Sequence, residues 1–292
     1  MTAALAAIVA TAAAIVPASG LAQLPPPPTP VPGSLLDRPV RPVSPQASPS
    51  EPGQPGATPA PQARRVAFGT AFRIDAAGHL VTNRHVVENC KAIGIVTGNR
   101  AAGNLKLVAI DPRHDLALLV GPPASPGQGA SPGSSASSAA SAAQAATLRA
   151  SDEPVQGEDV LVYGFPLPGM LSSSGQLGAG MVTALTGIRN DADQLQVDAP
   201  LQSGNSGGPL MDRRGQVIGV VFAKLNALRV AQITGDLPQN VNFAVRLAPL
   251  KRLLDANGVR YLIGPPDGPE LSNQQVAAMA REWTVPIACQ RE

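Results

Sequence analysis

The segment QSGNSGGPL, residues 202–210, surrounds one serine, Ser206, with three glycines directly after a run of alternating apolar and polar residues. A plain turn seldom requires so many glycines. A serine hydroxyl is a weak nucleophile at neutral pH, and it reacts efficiently only when a neighbouring base takes its proton. The segment is therefore either a loose loop or a backbone shaped to hold a reactive oxygen, and the choice depends on whether the chain supplies a base.

The histidines decide which order of residues is possible. Three histidines occur, and all of them precede Ser206: His79, His85 and His114. GNSGG also fits the nucleophile elbow of α/β-hydrolases, but in that arrangement the histidine follows the serine. The order aspartate, histidine, serine would need Asp75 or Asp111 as the acid. Each lies within a few residues of a histidine on the same local hairpin or loop, which is a poor place to build a triad. The order histidine, aspartate, serine remains, with His85, Asp115 and Ser206.

Short β-rich runs separated by turn residues must position these side chains. Residues 66–87 contain two runs joined by a hairpin signal at 75–78, and residues 104–120 contain two more, split at 111–112. Further runs follow at 158–165, 178–187, 193–200, 215–224 and 240–246. Many short strands with almost no helix between them predict an all-β barrel or sandwich.

Helix is expected only near the C-terminal end. One helix has Gly258 as its C-cap and four leucines on one face: Leu247, Leu250, Leu253 and Leu254. A second helix is predicted at about 272–283, where Ser272 and Gln275 match a capping box. Its apolar stripe, which we expect to pack on the barrel, has four members at helical spacing: Val276, Met279, Ala280 and Trp283.

Two segments have compositions that cannot form a packed core. Residues 24–63 contain 14 prolines, so residues 23–63 are predicted to be a disordered, extended linker, either a tether or a ligand for a proline-binding module. Residues 122–147 carry neither charge nor aromatic side chains. They are predicted to be a flexible loop inserted in a folded domain.

The N-terminal segment indicates export. Residues 1–22 form an Ala-rich apolar run that ends in small residues, which is typical of a signal peptide. The basic region of such a signal is missing, because no Lys or Arg precedes Arg38. An uncleaved membrane anchor and a start-site artefact therefore stay open as alternatives. A formal net charge of +2 is too small to indicate a nucleic-acid surface.

Three segments in the order derived above resemble the catalytic blocks of the trypsin-like serine peptidases, most closely those of the HtrA/Deg branch. They are VTNRHVV (81–87), DPRHDLALL (111–119) and QSGNSGGPL (202–210). The hairpin at 69–87, GFPL at 164–167 and NFAV at 242–245 extend the resemblance, which covers about residues 66–255.

This resemblance implies a chymotrypsin-like fold of two packed antiparallel β-barrels, with C-terminal helices and an active site between the barrels. The protease domain would span residues 64–265, followed by a helical tail at 266–292. The residues after 255 are too few for the PDZ domain that HtrA/Deg proteins often carry, so none is expected. Only Phe68 and Phe72 are available for the aromatic contacts of that family's trimers, and no oligomeric state is predicted.

The resemblance also implies a role for each site residue. Ser206 would attack the scissile carbonyl, His85 would take and return the proton, and Asp115 would orient His85. The backbone N–H groups of Gly204 and Ser206 would form the oxyanion hole. The expected function is a periplasmic or secreted serine endopeptidase that acts on protein or peptide substrates without a cofactor or metal. The alternative is a catalytically silent protease-like scaffold of the cell envelope.

Substrate preference follows from the same resemblance. Trypsin-like enzymes that select Lys or Arg carry a carboxylate six positions before the serine, and Pro200 stands there in this chain. The strand NFAV would form one wall of the pocket, with Asn242, Phe243 and Ala244 as substrate-binding residues. Cleavage after small or aliphatic residues is therefore expected, with broad selectivity because an apolar slot discriminates weakly.

The two cysteines, Cys90 and Cys289, lack the spacing of a metal site. In an exported protein a disulfide becomes permissible, and it would strap the terminal helix across the first barrel. Two independent buried thiols are the alternative.

Overall fold

The described residues of the computed structural model all belong to one unit, Pro59–Glu292. They are 66–97, 100–123, 145–166, 174–222 and 240–291. The predicted signal segment, the proline-rich linker and residues 124–144 of the predicted loop lie outside these ranges. Within them, no helix has both the length and the apolar character needed to cross a membrane.

Strands dominate the described ranges, and helices are few. In chain order the strands are β1 (Val66–Arg73), β2 (His79–Asn83), β3 (Ala92–Thr97), β4 (Arg100–Asp111), β5 (Leu116–Val120), β6 (Thr147–Leu148), β7 (Asp159–Gly164), β8 (Gln176–Ala184), β9 (Gln194–Val197), β10 (Pro209–Met211), β11 (Val217–Phe222), β12 (Asn242–Arg246), β13 (Leu262–Ile263) and β14 (Thr284–Gln290). The helices are α1 (Arg84–Val87), α2 (Leu247–Ala256) and α3 (Asn273–Trp283), with a 3₁₀ turn at Ile188–Asn190.

The first barrel is a closed ring of six antiparallel strands in the order β1, β14, β3, β4, β5, β2. Along each strand, successive side chains point to opposite faces of the sheet. One face fills the barrel interior with buried apolar side chains, among them Ala71, Leu80, Leu119 and Ile287. On the other face, Phe72, Val81 and Leu118 pack in a core shared with the second barrel.

The second barrel also closes with six antiparallel strands, because β10 pairs with both β7 and β11. From β7 the ring continues through β8, β9 and β12 to β11. Two short strands extend the sheet by parallel pairing, β6 with β11 and β13 with β6. Its interior is built mainly from β-branched and leucine side chains, including Val162, Leu195, Leu210 and Val221. The two closed rings confirm the predicted fold of two antiparallel barrels.

A third core lies between the barrels and under the C-terminal helices. It combines Phe72 of β1 with Leu161 of β7, Leu250 of α2 and Trp283 of α3. The rings of Phe72 and Trp283 meet edge to face with their centroids 6.2 Å apart. This shared core keeps the two barrels in one arrangement, which a site between them requires.

The predicted helices occur where the sequence indicated. Helix α2 ends in a Schellman motif, since Gly258 has φ +66° and Val259 N–H donates to the carbonyl oxygen of Leu254 over 3.0 Å. Helix α3 begins with the capping box of Ser272 and Gln275. Its buried side chains are Val276, Ala280 and Trp283.

The expectation that helix occurs only at the C-terminal end is wrong, because α1 and the 3₁₀ turn at Ile188–Asn190 lie outside that end. Four residues are too few to produce a helical period, so α1 left no signal. Strand β14 was also not anticipated within 266–292. Pro286 interrupts its sequence, and a proline in a short run argues against a strand.

The end of the predicted loop at 122–147 differs as well. Ala145 and Ala146 are buried, and β6 starts at Thr147 and pairs with β11 at Val217. Small uncharged side chains fit the packed edge of the second barrel, which composition alone does not distinguish from a loop.

Candidate active site

His85 and Asp115 are in direct contact at the edge of the first barrel. His85 lies in α1, immediately after β2, and Asp115 ends the turn between β4 and β5. The Nδ1 atom of His85 is 2.6 Å from Oδ2 of Asp115, and the backbone N–H of His85 donates to Oδ1 over 3.0 Å. Because an ionised carboxylate only accepts hydrogen bonds, Nδ1 carries the proton and Nε2 is the nitrogen able to receive another.

The backbone around Asp115 is held from several sides. Its φ is +56°, a left-handed conformation that aspartate tolerates better than most residues. Its carbonyl oxygen accepts hydrogen bonds from the Arg84 N–H over 2.9 Å and from Nδ2 of Asn83 over 3.1 Å. The turn that carries Asp115 is therefore tied to the turn that carries His85 through backbone as well as side-chain contacts.

Ser206 lies in the loop that leads into β10 and is 5% exposed. Gly204 and Gly207 on either side of it have φ values of +102° and +87°. A Cβ atom on Gly207 would lie 2.2 Å from both the carbonyl oxygen of Thr70 and Oγ1 of Thr82. The path of the loop thus depends on glycine at this position for both conformation and space.

Thr70, at the centre of β1, fastens the Ser206 loop to the first barrel. Its N–H donates to the carbonyl oxygen of Ser206 over 2.9 Å, and its Oγ1 donates to that of Gly204 over 2.7 Å. The same Oγ1 accepts the N–H of Phe165 over 3.1 Å. Sequence reasoning missed this residue, because its partners are backbone groups that the sequence does not identify.

The Ser206 loop and the His85 turn meet at the same short part of β1. A Cβ atom on Gly69 would lie 2.5 Å from Cγ1 of Val86, the residue after His85, and 3.1 Å from the carbonyl oxygen of Ser206. A Cβ atom on Gly207 would lie 2.9 Å from the backbone nitrogen of Asn83. The structure therefore brings the segments of all three predicted residues to one place between the barrels.

The three predicted substrate-binding residues lie on β12 in different surroundings. Nδ2 of Asn242 donates to the carbonyl oxygen of Ala199 over 2.8 Å. The ring of Phe243 stacks on that of Phe222, with centroids 6.0 Å apart and planes 22° apart. Ala244 is fully buried in the interior of the second barrel. Asn242 is thus half-buried, whereas Phe243 and Ala244 are both buried.

Cys90 and Cys289 form a disulfide with their Cα atoms 5.4 Å apart. It joins the segment after α1 to strand β14, rather than to the terminal helix. The Lys91 N–H donates to the carbonyl oxygen of Gln290 over 2.8 Å. The guanidinium of Arg291, which sequence reasoning also missed, donates to the carbonyl oxygen of His85 over 2.7 Å.

The other two histidines pair with aspartates outside this site. His79 contacts Asp75 within the β1–β2 hairpin, with Nδ1 2.6 Å from Oδ2. The position of His114 directly before DLALL predicts a solvated loop histidine, and this prediction is wrong. Its side chain is 9% exposed and contacts both Asp111 and Asp193. Asp193 lies 79 positions away in the chain, so the local sequence does not reveal this contact.

A metal centre finds no support in the described ranges. They contain no group of three or more His, Cys, Asp or Glu side chains arranged to hold an ion.

Comparison with known proteins gives matches over this same region. The family model of the trypsin-like peptidase domain matches residues 69–220, just over half of the chain. "Uncharacterized protein y4bJ" of Sinorhizobium fredii is 40% identical over 240 residues, which are 80% of this chain and 34% of that protein. A "Probable periplasmic serine endoprotease DegP-like" of Bartonella henselae is 32% identical over 162 residues, 54% of this chain and 28% of that protein.

Among solved structures, the serine endoprotease from Yersinia pestis aligns with a TM-score of 0.48 and 22% identity, covering 65% of this chain and 57% of that chain. The chain spans about a third of the length of the curated relatives named above.

Proposed function

Because the chain belongs to the trypsin-like peptidase family, in its HtrA-like branch, we propose that it is a serine endopeptidase that hydrolyses peptide bonds in protein substrates. The observation that carries this proposal is the 2.6 Å contact between His85 and Asp115 beside the Ser206 loop. A neutral imidazole oriented by a carboxylate is the base that a serine nucleophile requires.

The reaction proceeds in two halves. Nε2 of His85 takes the proton of the Ser206 hydroxyl as Oγ attacks the scissile carbonyl, and it then gives that proton to the leaving amine. The C–N bond breaks and an acyl ester on Ser206 remains. Water attacks the ester by the same proton route and restores the serine. Asp115 holds Nδ1 and stabilises the imidazolium formed in each half.

The negative oxygen of each tetrahedral intermediate is bound by the N–H groups of Gly204 and Ser206. The positive φ of Gly204 and the hydrogen bond from Thr70 to its carbonyl oxygen support this assignment, because they restrict the backbone conformation of Gly204 before substrate arrives. In comparable sites the removal of one such donor costs about 3–4 kcal/mol of transition-state stabilisation.

The substrate pocket is assigned to the β12 side of this loop. Its wall is assigned to the β12 segment that carries Asn242, Phe243 and Ala244, where Phe222 stacks on Phe243. Pro200 supplies no carboxylate for a basic side chain. Cleavage after small or aliphatic residues is therefore proposed, with broad selectivity.

The protein is further proposed to act outside the cytoplasm. The Cys90–Cys289 disulfide supports this, because such bonds persist in oxidising compartments. The periplasmic description of the Bartonella henselae relative agrees with it.

Labelling with a fluorophosphonate tests the enzyme assignment. Wild-type protein should be modified at one serine, and Ser206→Ala should not be modified. Ser203→Ala, which removes an exposed hydroxyl of the same loop, should be labelled like wild type. Asp115→Asn should slow labelling about 10⁴-fold, since it stabilises the wrong tautomer of His85. A folded wild type that stays unlabelled would instead favour a catalytically silent scaffold protein.

A further inference from the structure

His114 links the two barrels through one imidazole ring. It lies in the turn between β4 and β5, immediately before Asp115. Its Nδ1 is 2.5 Å from Oδ2 of Asp111 in the first barrel, and its Nε2 is 3.0 Å from Oδ2 of Asp193 in the second. The side chain is 9% exposed, so water competes little for either contact.

Charged side chains surround the ring on both sides. Each ring nitrogen of His114 faces a carboxylate oxygen. The guanidinium of Arg252 in α2 is 3.5 Å from Oδ1 of Asp193, and that of Arg113 is 3.8 Å from its Oδ2. His114 is therefore part of a network of polar and charged side chains that joins the β4–β5 turn to the second barrel.

The pKa values of the two carboxyls reflect these contacts. Partial burial raises the pKa of Asp111 and of Asp193, but the hydrogen bonds and positive charge of His114 outweigh it and hold both pKa values below their ordinary range. Arg252 contributes to the effect at Asp193. The other charged group against this cluster is Asp191, whose Oδ1 accepts the N–H of Asp193 over 2.9 Å.

The same cluster shapes the turn that ends at Asp115. Oδ1 of Asp111 accepts the N–H groups of Arg113 and His114 over 3.0 and 3.2 Å, while its Oδ2 accepts from the His114 ring. The turn is thus held by Asp111 on one side and by Asp193 on the other. The next residue, Asp115, has the left-handed backbone that presents its carboxylate to His85.

We propose that His114 is a positioning residue, a clasp that holds the Asp115 turn against the second barrel and thereby sets the contact between Asp115 and His85. The proposal rests on the proposed peptidase function. Because one ring contacts Asp111 and Asp193 at the same time, a side chain that reaches only one of them leaves the turn attached to a single barrel.

Peptidase kinetics and the rate of fluorophosphonate labelling test this role. His114→Gln should lower kcat about tenfold to a hundredfold, the range expected for a misplaced catalytic group, with little change in KM. The labelling of Ser206 should slow in parallel. Asp193→Asn, which keeps the His114–Asp111 pair, should lower kcat less. His79→Gln is the matched control, because it removes a similar histidine–aspartate pair that lies within one hairpin.

Nitrogen NMR of wild-type and variant protein gives a readout that does not depend on turnover. The ring nitrogen signals of His85 should change in His114→Gln, because the contact between Asp115 and Nδ1 of His85 is displaced, and they should stay unchanged in His79→Gln. A folded His114→Gln protein with the kcat and the His85 signals of wild type would overturn the proposal. If His114→Gln does not fold, a folded Asp193→Asn protein with unchanged kcat and His85 signals would overturn it. Wild-type protein that neither labels nor turns over would refute the peptidase assignment, whereas the His85 signals test the clasp separately.

Discussion

Arg291 donates a hydrogen bond from Nη2 to the backbone carbonyl oxygen of His85 over 2.7 Å, across 206 positions of the chain. The disulfide between Cys90 and Cys289 lies beside this contact. Strand β14 lies between β1 and β3 in the first barrel. Through the disulfide and Arg291, the segment that carries β14 also contacts the residues around the His85 turn. The proposed general base is therefore held in part by the last strand of the described chain.

Replacing Arg291 should loosen the His85 turn. A hydrogen bond to a charged group contributes about 1.5–3 kcal/mol, so Arg291→Ala should lower the free energy of unfolding by about 1–2 kcal/mol, given its partial exposure. Fluorophosphonate labelling of Ser206 should slow in parallel. Urea unfolding and labelling rates measure both effects. Arg281→Ala, on the exposed side of α3, is the control, and equal labelling rates in the two variants would contradict the prediction.

Removing the disulfide should have a larger effect on stability. The bond closes a sequence separation of 199 residues, and loss of a native disulfide commonly costs about 2–5 kcal/mol. The double variant Cys90→Ser, Cys289→Ser should unfold at lower denaturant concentration than wild type. Reduced wild type should match the double variant, and the double variant itself should not respond to reductant. A response to reductant in that variant would show that the effect arises elsewhere.

Gly207→Ala should abolish labelling, because it combines backbone strain with a clash. The residue has φ +87°, and its new Cβ would approach two oxygen atoms of the first barrel at 2.2 Å. Gly157→Ala separates the two causes, since Gly157 has φ +86° and no atom lies within 4 Å of the place that its new Cβ would take. We expect Gly157→Ala to cost about 1–2 kcal/mol of stability without loss of labelling. Similar loss of labelling in both variants would assign the effect to strain alone.

Much of this fold could be predicted because local patterns in the sequence indicate most of its strands. Strand β11 is a continuous apolar run and is buried along its whole length, and β1 and β2 are joined by a recognisable turn. Strand β14 could not be predicted in this way. Its pairing with β1 and β3 connects the two ends of the described chain, and no local pattern reports such a partner.

The same distinction applies to the site. Residue type and order were sufficient to nominate His85, Asp115 and Ser206, because the chemistry restricts which side chains can serve. Thr70 and Arg291 serve by hydrogen-bonding backbone carbonyl groups 134 and 206 positions away. Every residue has a backbone carbonyl group, so nothing in the sequence identifies these partners before the fold is known.

Acid should weaken the contact between the barrels. In the folded protein, the pKa values of Asp111 and Asp193 lie below the value of about 4 that aspartate has in the unfolded chain. Such groups contribute stability that is fully present above the unfolded pKa and is lost as pH falls through the folded pKa. The free energy of unfolding should therefore decrease below about pH 4, as measured by urea titration at a series of pH values.

Asp212 opposes this trend, because its burial raises its pKa and favours the protonated form in the folded protein. The pH dependence of the wild-type free energy of unfolding is thus ambiguous by itself. The comparison with Asp193→Asn isolates the contribution of the clasp. That variant should be less stable than wild type at pH 6, and the difference should shrink as the pH approaches 3. Asp267→Asn, in an exposed turn, should show a constant and small difference. A gap between wild type and Asp193→Asn that persists unchanged at low pH would mean that Asp193 stabilises the fold through something other than its charge.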